Sequence, residues 1–270
     1  MQGRLMSPEF AHGLPHPRLR PFVAAYTGYR ICGDAPGVHM GLRSLTFIVA
    51  FDAPVDVTFG GGRGRYWGLL AGLHDRPAVI RHNGDQHGVQ LDVTPAGALA
   101  LFGVSPGALA RQVAHLDAVV PEVAAEIIGR LTEAPNWPAR WSALDNLFLR
   151  RLAASTPPNL RLQHAWGQLV AGCGATTVTD LADQVGWHRQ HFARQFRSAY
   201  GLSPKVMSRI VRFERAQRLL RQPPHPSLAS VAAACGYADQ AHMTREWHQF
   251  AGTSPSVWLR NEVIPFVQDD

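Results

Sequence analysis

Between Thr177 and Trp258 the apolar residues recur at helical spacing, and the same order of positions occurs twice. In the first copy Leu181, Ala182 and Val185 share one face of a short helix. Gly186 ends that helix, since glycine takes the left-handed turn at least cost. A second helix follows with Phe192, Phe196 and Ala199 inward. In the second copy Leu228, Val231 and Cys235 face in, Gly236 stops the helix, and Met243, Trp247 and Phe250 pack. Gly186 and Gly236 lie 50 residues apart, whereas Gly201 and Gly252 lie 51 apart, as do Pro204 and Pro255. One residue is therefore inserted between the two glycines of the second copy. Thr177 followed by Asp180 has the spacing of a capping box, with Asp in place of Glu, and Ser227 opens the other copy. Two short helices joined at a glycine turn predict a helix-turn-helix, whose second helix enters the major groove of DNA.

The pattern elsewhere is different. Residues 1–21 are rich in Pro, Arg and His and predict an irregular lead-in. Residues 22–29, 42–51, 55–59, 66–73, 78–81 and 88–93 are short apolar runs broken by Gly, Pro and Asp, and predict strands of a small barrel or sandwich. The glycine run at 60–64 predicts a flexible hairpin loop and matches no phosphate-binding pattern. Past Pro95 the spacing turns helical at 98–102, 106–113, 122–131 and 137–152. In the last of these, Trp141, Leu144, Leu147 and Arg151 form a stripe that suits core packing better than a dimer seam. The segment 154–159, Ala-Ser-Thr-Pro-Pro-Asn, breaks the pattern and predicts a linker. A domain at 1–153, with strands over about 22–95 and helices over about 96–153, is thus followed by a second at 160–262 that begins with a helix over 160–171. Ser203-Pro204 opens a longer helix reaching Gln222, with Val206, Ile210, Phe213, Gln217 and Leu220 on one face. Arg209, Arg212, Arg215, Arg218 and Arg221 recur every three residues along it, a spacing that drifts around the axis and makes no single stripe.

Charge sharpens the division. Residues 159–260 hold 12 Lys and Arg against 5 Asp and Glu, a net of +7, and the rest of the chain nets −1. The whole positive excess therefore belongs to the repeated region, an electrostatic footprint for a polyanion.

The tandem repeat resembles the DNA-binding domain of the AraC/XylS family of transcription regulators. The likeness is carried by Gly236-Tyr237-Ala-Asp239, by Trp247, and by Gly252-Thr-Ser-Pro255 ahead of Trp258. It covers roughly residues 160–260. It implies an α+β protein: a small cupin-like β-barrel with appended helices, then an all-α domain of two helix-turn-helix motifs joined by a long helix. It also implies two recognition helices reading adjacent major grooves of double-stranded DNA. The residues expected at base edges or phosphates are Arg189, Gln190 and Arg194 in the first copy. In the second they are Gln240, Ala241, His242, Thr244 and Arg245. Arginine pairs bidentately with guanine and glutamine with adenine. Activation through contact with RNA polymerase, and a barrel that senses an effector or mediates a homodimer, follow from the resemblance alone.

The barrel region itself says less. His39, Phe47, Tyr66 and Trp67 are the candidates to line an effector pocket, against a default of core packing for the aromatics. His39, His74, His82 and His87 fall among the strands, but no His-x-His pair with a following Glu accompanies them, so neither a metal nor another cofactor is expected. The alternative to a regulator is an enzyme whose barrel is fused to a DNA-targeting module; no Ser/His/Asp or paired-carboxylate set supports it. No run of 18 apolar residues predicts a membrane span, and the first residues lack an apolar leader. Three scattered cysteines, Cys32, Cys173 and Cys235, suit a reducing cytoplasm rather than a disulfide framework.

Overall fold

Leu45–Ala50 is buried at all six positions, on both faces of the strand. Such a strand must lie inside a sheet that is covered on both sides. In the computed structural model, which describes residues 9–33, 37–39, 44–81, 84–154 and 159–261, it does. The strands are β1 (Glu9–Gly13), β2 (Val23–Gly33), β3 (Gly37–His39), β4 (Leu45–Ala50), β5 (Val55–Phe59), β6 (Gly62–Tyr66), β7 (Gly68–Ala71), β8 (Ala78–Arg81), β9 (Gly84–Val93) and β10 (Val113–His115). They form a six-stranded sheet of order β1-β2-β9-β4-β7-β10 and a four-stranded sheet of order β3-β8-β5-β6. Helices α1 (Pro95–Phe102), α2 (Pro106–Leu109), α3 (Leu116–Val119), α4 (Pro121–Glu133) and α5 (Trp137–Ala153) follow or interleave with these strands. The chain divides into two compact units, one of residues 1–37, 44–72 and 79–158, the other of residues 38–43, 73–78 and 159–270.

The two faces of the larger sheet differ. On one, Tyr26, Leu91, Phe47 and Leu70 stand side by side across four strands. Helix residues cover them: Tyr26 stacks on Trp141 at 5.6 Å, and Phe47 on Phe102 at 5.5 Å. Of the α5 stripe, Leu144 and Leu147 are buried, together with Phe148, whereas Trp141 and Arg151 are half-buried. On the other face the neighbours are Thr27, Gln90 and Ile48, with Thr46 opposite Asp92. Thr27, Thr46, Gln86, Gln90 and Asp92 are all buried polar residues. Gln90 Nε2 donates to Asp92 Oδ1 at 3.2 Å.

Several expectations need correction. The lead-in is not wholly irregular: β1 pairs antiparallel with β2, Glu9 opposite Arg30 and Gly13 opposite Tyr26. The glycine run is a tight turn rather than a loose loop. Only Gly60 and Gly61 have positive φ (59° and 88°), the requirement of a two-residue hairpin, and Gly62 already pairs with Phe59. The helix expected to reach residue 113 stops at Leu109; Arg111 sits at φ 58°, and β10 then adds an edge strand to β7. The strand expected over 66–73 is split by a bend at Trp67 into β6 and β7.

Three of the suggested pocket residues have described side chains, each in its own surroundings. Phe47 belongs to the face under the helices, fully buried against Phe102. Trp67 is 53% exposed, and Tyr66 packs on His115 at 4.5 Å. The side chain of His39 and the whole of His82 lie outside the described residues. His87 is held by Asp52 at 3.0 Å and by the edges of Phe51 and Trp137.

Candidate nucleic-acid interface

The helical unit contains α6 (Leu160–Ala171), α7 (Val178–Gln184), α8 (Arg189–Tyr200), α9 (Pro204–Arg221), α10 (Leu228–Ala234), α11 (Gln240–Ala251) and α12 (Pro255–Asn261). Every start from α6 to α11 carries a side-chain cap: Asn159, Thr177, His188, Ser203, Ser227 and Asp239. The Thr177 box closes in both directions, with Asp180 N donating to Oγ1 and Thr177 N to the carboxylate. Gly186 and Gly236 take φ of 69° and 71°, and Gly201 and Gly252 take 74° and 70°. The matching glycines of the two copies thus agree in φ within a few degrees.

The extra residue can now be placed. Two residues separate Gly186 from Arg189 at the start of α8, and three separate Gly236 from Gln240 at the start of α11. The insertion therefore lies in the turn, next to the N-cap, and α8 and α11 match residue for residue at an offset of 51. The offset is 50 through α7 and α10 and returns to 51 at the first helix of each repeat. Arg161 on α6 lies 5.7 Å over the Trp187 ring, and Arg212 on α9 lies 5.3 Å over Tyr237. Each repeat is accordingly three helices, α6-α7-α8 and α9-α10-α11, with an arginine of the first helix against the aromatic of the turn. That aromatic meets a histidine edge-on in both: Trp187 with His191 at 5.0 Å, Tyr237 with His242 at 5.4 Å.

Each core is aromatic. Trp166, Phe192, Phe196 and Tyr200 pack in one, with Phe196 and Tyr200 4.6 Å apart. Phe213, Trp247, Phe250 and Trp258 pack in the other, with Phe213 and Trp247 4.9 Å apart. Helix α9 belongs to both. It packs on α6 and α8 and also on α10 and α11, and ten of its 18 residues are buried. At 1.5 Å per residue it spans about 27 Å.

The outer faces of α8 and α11 carry the expected residues. Arg189, Gln190, Arg194, Gln240, Ala241 and Arg245 are all exposed. Arg194 and Arg245 occupy the same place at the 51-residue offset. Arg194 lies 3.3 Å from His191 Nδ1, and Arg245 makes no ion pair or hydrogen bond among the described residues. Two residues of the expected set are occupied. Thr244 donates its hydroxyl to the carbonyl of Gln240 at 2.9 Å. His242 is half-buried, with Nδ1 3.4 Å from the backbone nitrogen of Ala238 and Nε2 3.5 Å from Glu246. Three of the five regularly spaced arginines of α9 are held against side chains outside that helix: Arg209 to Glu246, Arg212 to Tyr237, and Arg221 over Trp258 at 5.0 Å. Burial, and then the charge of Glu246, pushes the Tyr237 phenol above its ordinary range. The buried Glu246 was not foreseen; no sequence signal ties it to Arg209, 37 positions away.

A family model described as a helix-turn-helix domain matches residues 181–261. The repeated region therefore contains a helix-turn-helix domain. The regulator YbfI of Bacillus subtilis is 33% identical over 67 residues, 25% of this chain and 24% of that protein. The regulator Rv1931c of Mycobacterium tuberculosis is 28% identical over 123 residues, 46% of each. The matches thus span a quarter to under half of the relatives' own lengths. Among solved structures, ToxT from Vibrio cholerae O395 aligns with a TM-score of 0.54 over 90% of this chain and 98% of that one. At 10% identity this is a likeness of fold. Among the described residues no helix is long and apolar enough to cross a membrane, and no group of three or more His, Cys, Asp and Glu is placed to hold a metal.

Proposed function

We propose that the chain is a sequence-specific regulator of transcription, acting on double-stranded DNA in the cytoplasm, with α8 and α11 each reading a major groove of one duplex. The observation that carries this is the pair Arg194 and Arg245. They stand at equivalent exposed positions of two capped helices, on two repeats that share α9. Successive grooves on one face of DNA lie roughly 34 Å apart, a distance that α9 and the flanking helices can span. Arg189, Gln190 and Gln240 flank the two arginines as further contacts. Ala241 offers a methyl group to thymine, whereas Thr244 and His242 contribute less at base edges because their polar atoms are engaged. The two helices differ in sequence, so one chain reads an asymmetric site without a partner.

Residues 1–153 then serve as the sensing domain, tied by the linker 154–159 to the reading domain 160–262. On the buried polar face, Gln90 Oε1 has no hydrogen-bond partner among the described residues, which supports an effector with a hydrogen-bond donor, because buried polar atoms need partners. Activation through RNA polymerase and homodimer formation belong to the same reading, and nothing in it calls for catalysis. Selection of duplexes from a random pool by the purified chain tests it. A preferred two-part sequence is expected, and binding that ignores sequence contradicts the proposal.

A further inference from the structure

The 51-residue correspondence between the repeats breaks down in the contact between α9 and α11. Arg209, on the second turn of α9, donates from Nε to Glu246 Oε1 at 2.5 Å and from a terminal nitrogen to Gln249 Oε1 at 2.6 Å. Its guanidinium also lies 5.2 Å from the Phe250 ring. The three contacts fall at positions i, i+3 and i+4 of α11, on one face of the helix. Glu246 is only 6% exposed. Its Oε1 lies 3.5 Å from His242 Nε2, one turn earlier, and its Oε2 is buried with no hydrogen-bond partner among the described residues. His242 in turn meets Tyr237, whose hydroxyl is likewise buried without a partner. A line of contacts therefore runs from the shared helix, through one carboxylate, to the first turn of the second reading helix.

The first repeat has no equivalent. At the same offset Glu246 corresponds to Gln195, and Arg209 to Pro158, ahead of the first residue of α6. Neither residue carries a charge. A buried ion pair gains little over well-packed apolar side chains, because both charges give up water. An unmatched carboxylate oxygen makes that balance worse. Stability alone is thus a poor reason for the second repeat to contain this pair. Direction is a better one: a guanidinium fork fixes orientation as well as distance, which apolar contact does not.

We propose that Arg209 and Glu246 are positioning residues for the second reading helix: they set the roll of α11 against α9, and so govern which bases the second half of the DNA site accepts. The inference rests on the DNA-reading function proposed above. The test uses the full chain and the duplex that the wild type selects from a random pool. The variants are Glu246→Gln, Arg209→Met, Arg209→Lys and the double variant Arg209→Met with Glu246→Met. Each single variant is expected to bind the selected duplex roughly tenfold more weakly, within the range of one lost base contact. Each should bind like wild type to a duplex whose second half is scrambled. Arg209→Lys, which keeps the charge and loses the fork, should fall between. The double variant, with an apolar pair in place of the buried charges, should melt no lower than wild type and yet still select a degenerate second half. It carries the test even where a single variant fails to fold. Wild-type base preferences in the double variant, or equal losses on selected and scrambled duplexes, overturn the proposal. A wild type that selects no sequence at all instead overturns the reading beneath it.

Discussion

In the first repeat Trp166, Phe192, Phe196 and Tyr200 pack ring against ring, and Gln195 beside them stays half-exposed. In the second, Phe213, Trp247 and Phe250 make the same kind of core, and at the place of Gln195 stands Glu246, buried against Arg209. Caps, glycine turns and the arginine over the turn aromatic are common to both. The difference teaches that the shape of a reading helix and its aim are held by separate means. Apolar packing is non-directional and sufficient to form the three-helix unit. A charged fork adds an angle to one copy and leaves the other free of it.

The largest expected effect is on stability and is one-sided. Glu246→Ala leaves a half-buried guanidinium facing a buried gap, and breaking such a pair costs about 3 kcal/mol. Gln195→Ala, at the matching site, should stay within about 0.5 kcal/mol. Unfolding in urea, followed by helical signal, compares the two; equal losses would erase the distinction drawn between the repeats. A second comparison concerns reading rather than folding and should be two-sided. Arg194→Ala and Arg245→Ala should each weaken specific binding by about 1–3 kcal/mol, the worth of a bidentate guanine contact, with melting unchanged. Fluorescence anisotropy on the selected duplex checks this, and wild-type affinity in both variants would remove the assignment. The smallest effect lies at the caps. Asp239 accepts from His242 N at 2.6 Å, whereas the His188 ring accepts from Gln190 N at a long 3.4 Å. Asp239→Ala should therefore cost about 1 kcal/mol and His188→Ala less, a ranking that thermal melts of the two variants can reverse or uphold.

What the sequence made legible follows the range of the forces. Helix ends are written locally, in Asn159, Thr177, Ser203, Ser227 and the glycines, so α6 fell at residues 160–171 as expected and the repeat was visible at once. Strands depend on partners far along the chain. Residues 9–13 and 113–115 are not apolar runs, and they become strands only because β2 and β7 offer them an edge. Alternation along β4 marks two faces but cannot say which one the helices cover, and so Phe47 looked like a pocket residue and proved to be core. The exposed, equivalent positions of Arg194 and Arg245 were legible from their place in the repeat. Arg209 and Glu246 were not, because a contact between two helices leaves no spacing in either one.

The central claim, that two unlike reading helices mounted on one shared helix engage one duplex together, is tested most directly by a major-groove protection footprint of the wild-type chain on its selected duplex, repeated with Arg194→Ala and with Arg245→Ala. The account predicts two protected patches on one face of the DNA, about 10 base pairs apart, with each substitution erasing a different patch. A single patch, or both patches lost together from either substitution, would contradict it.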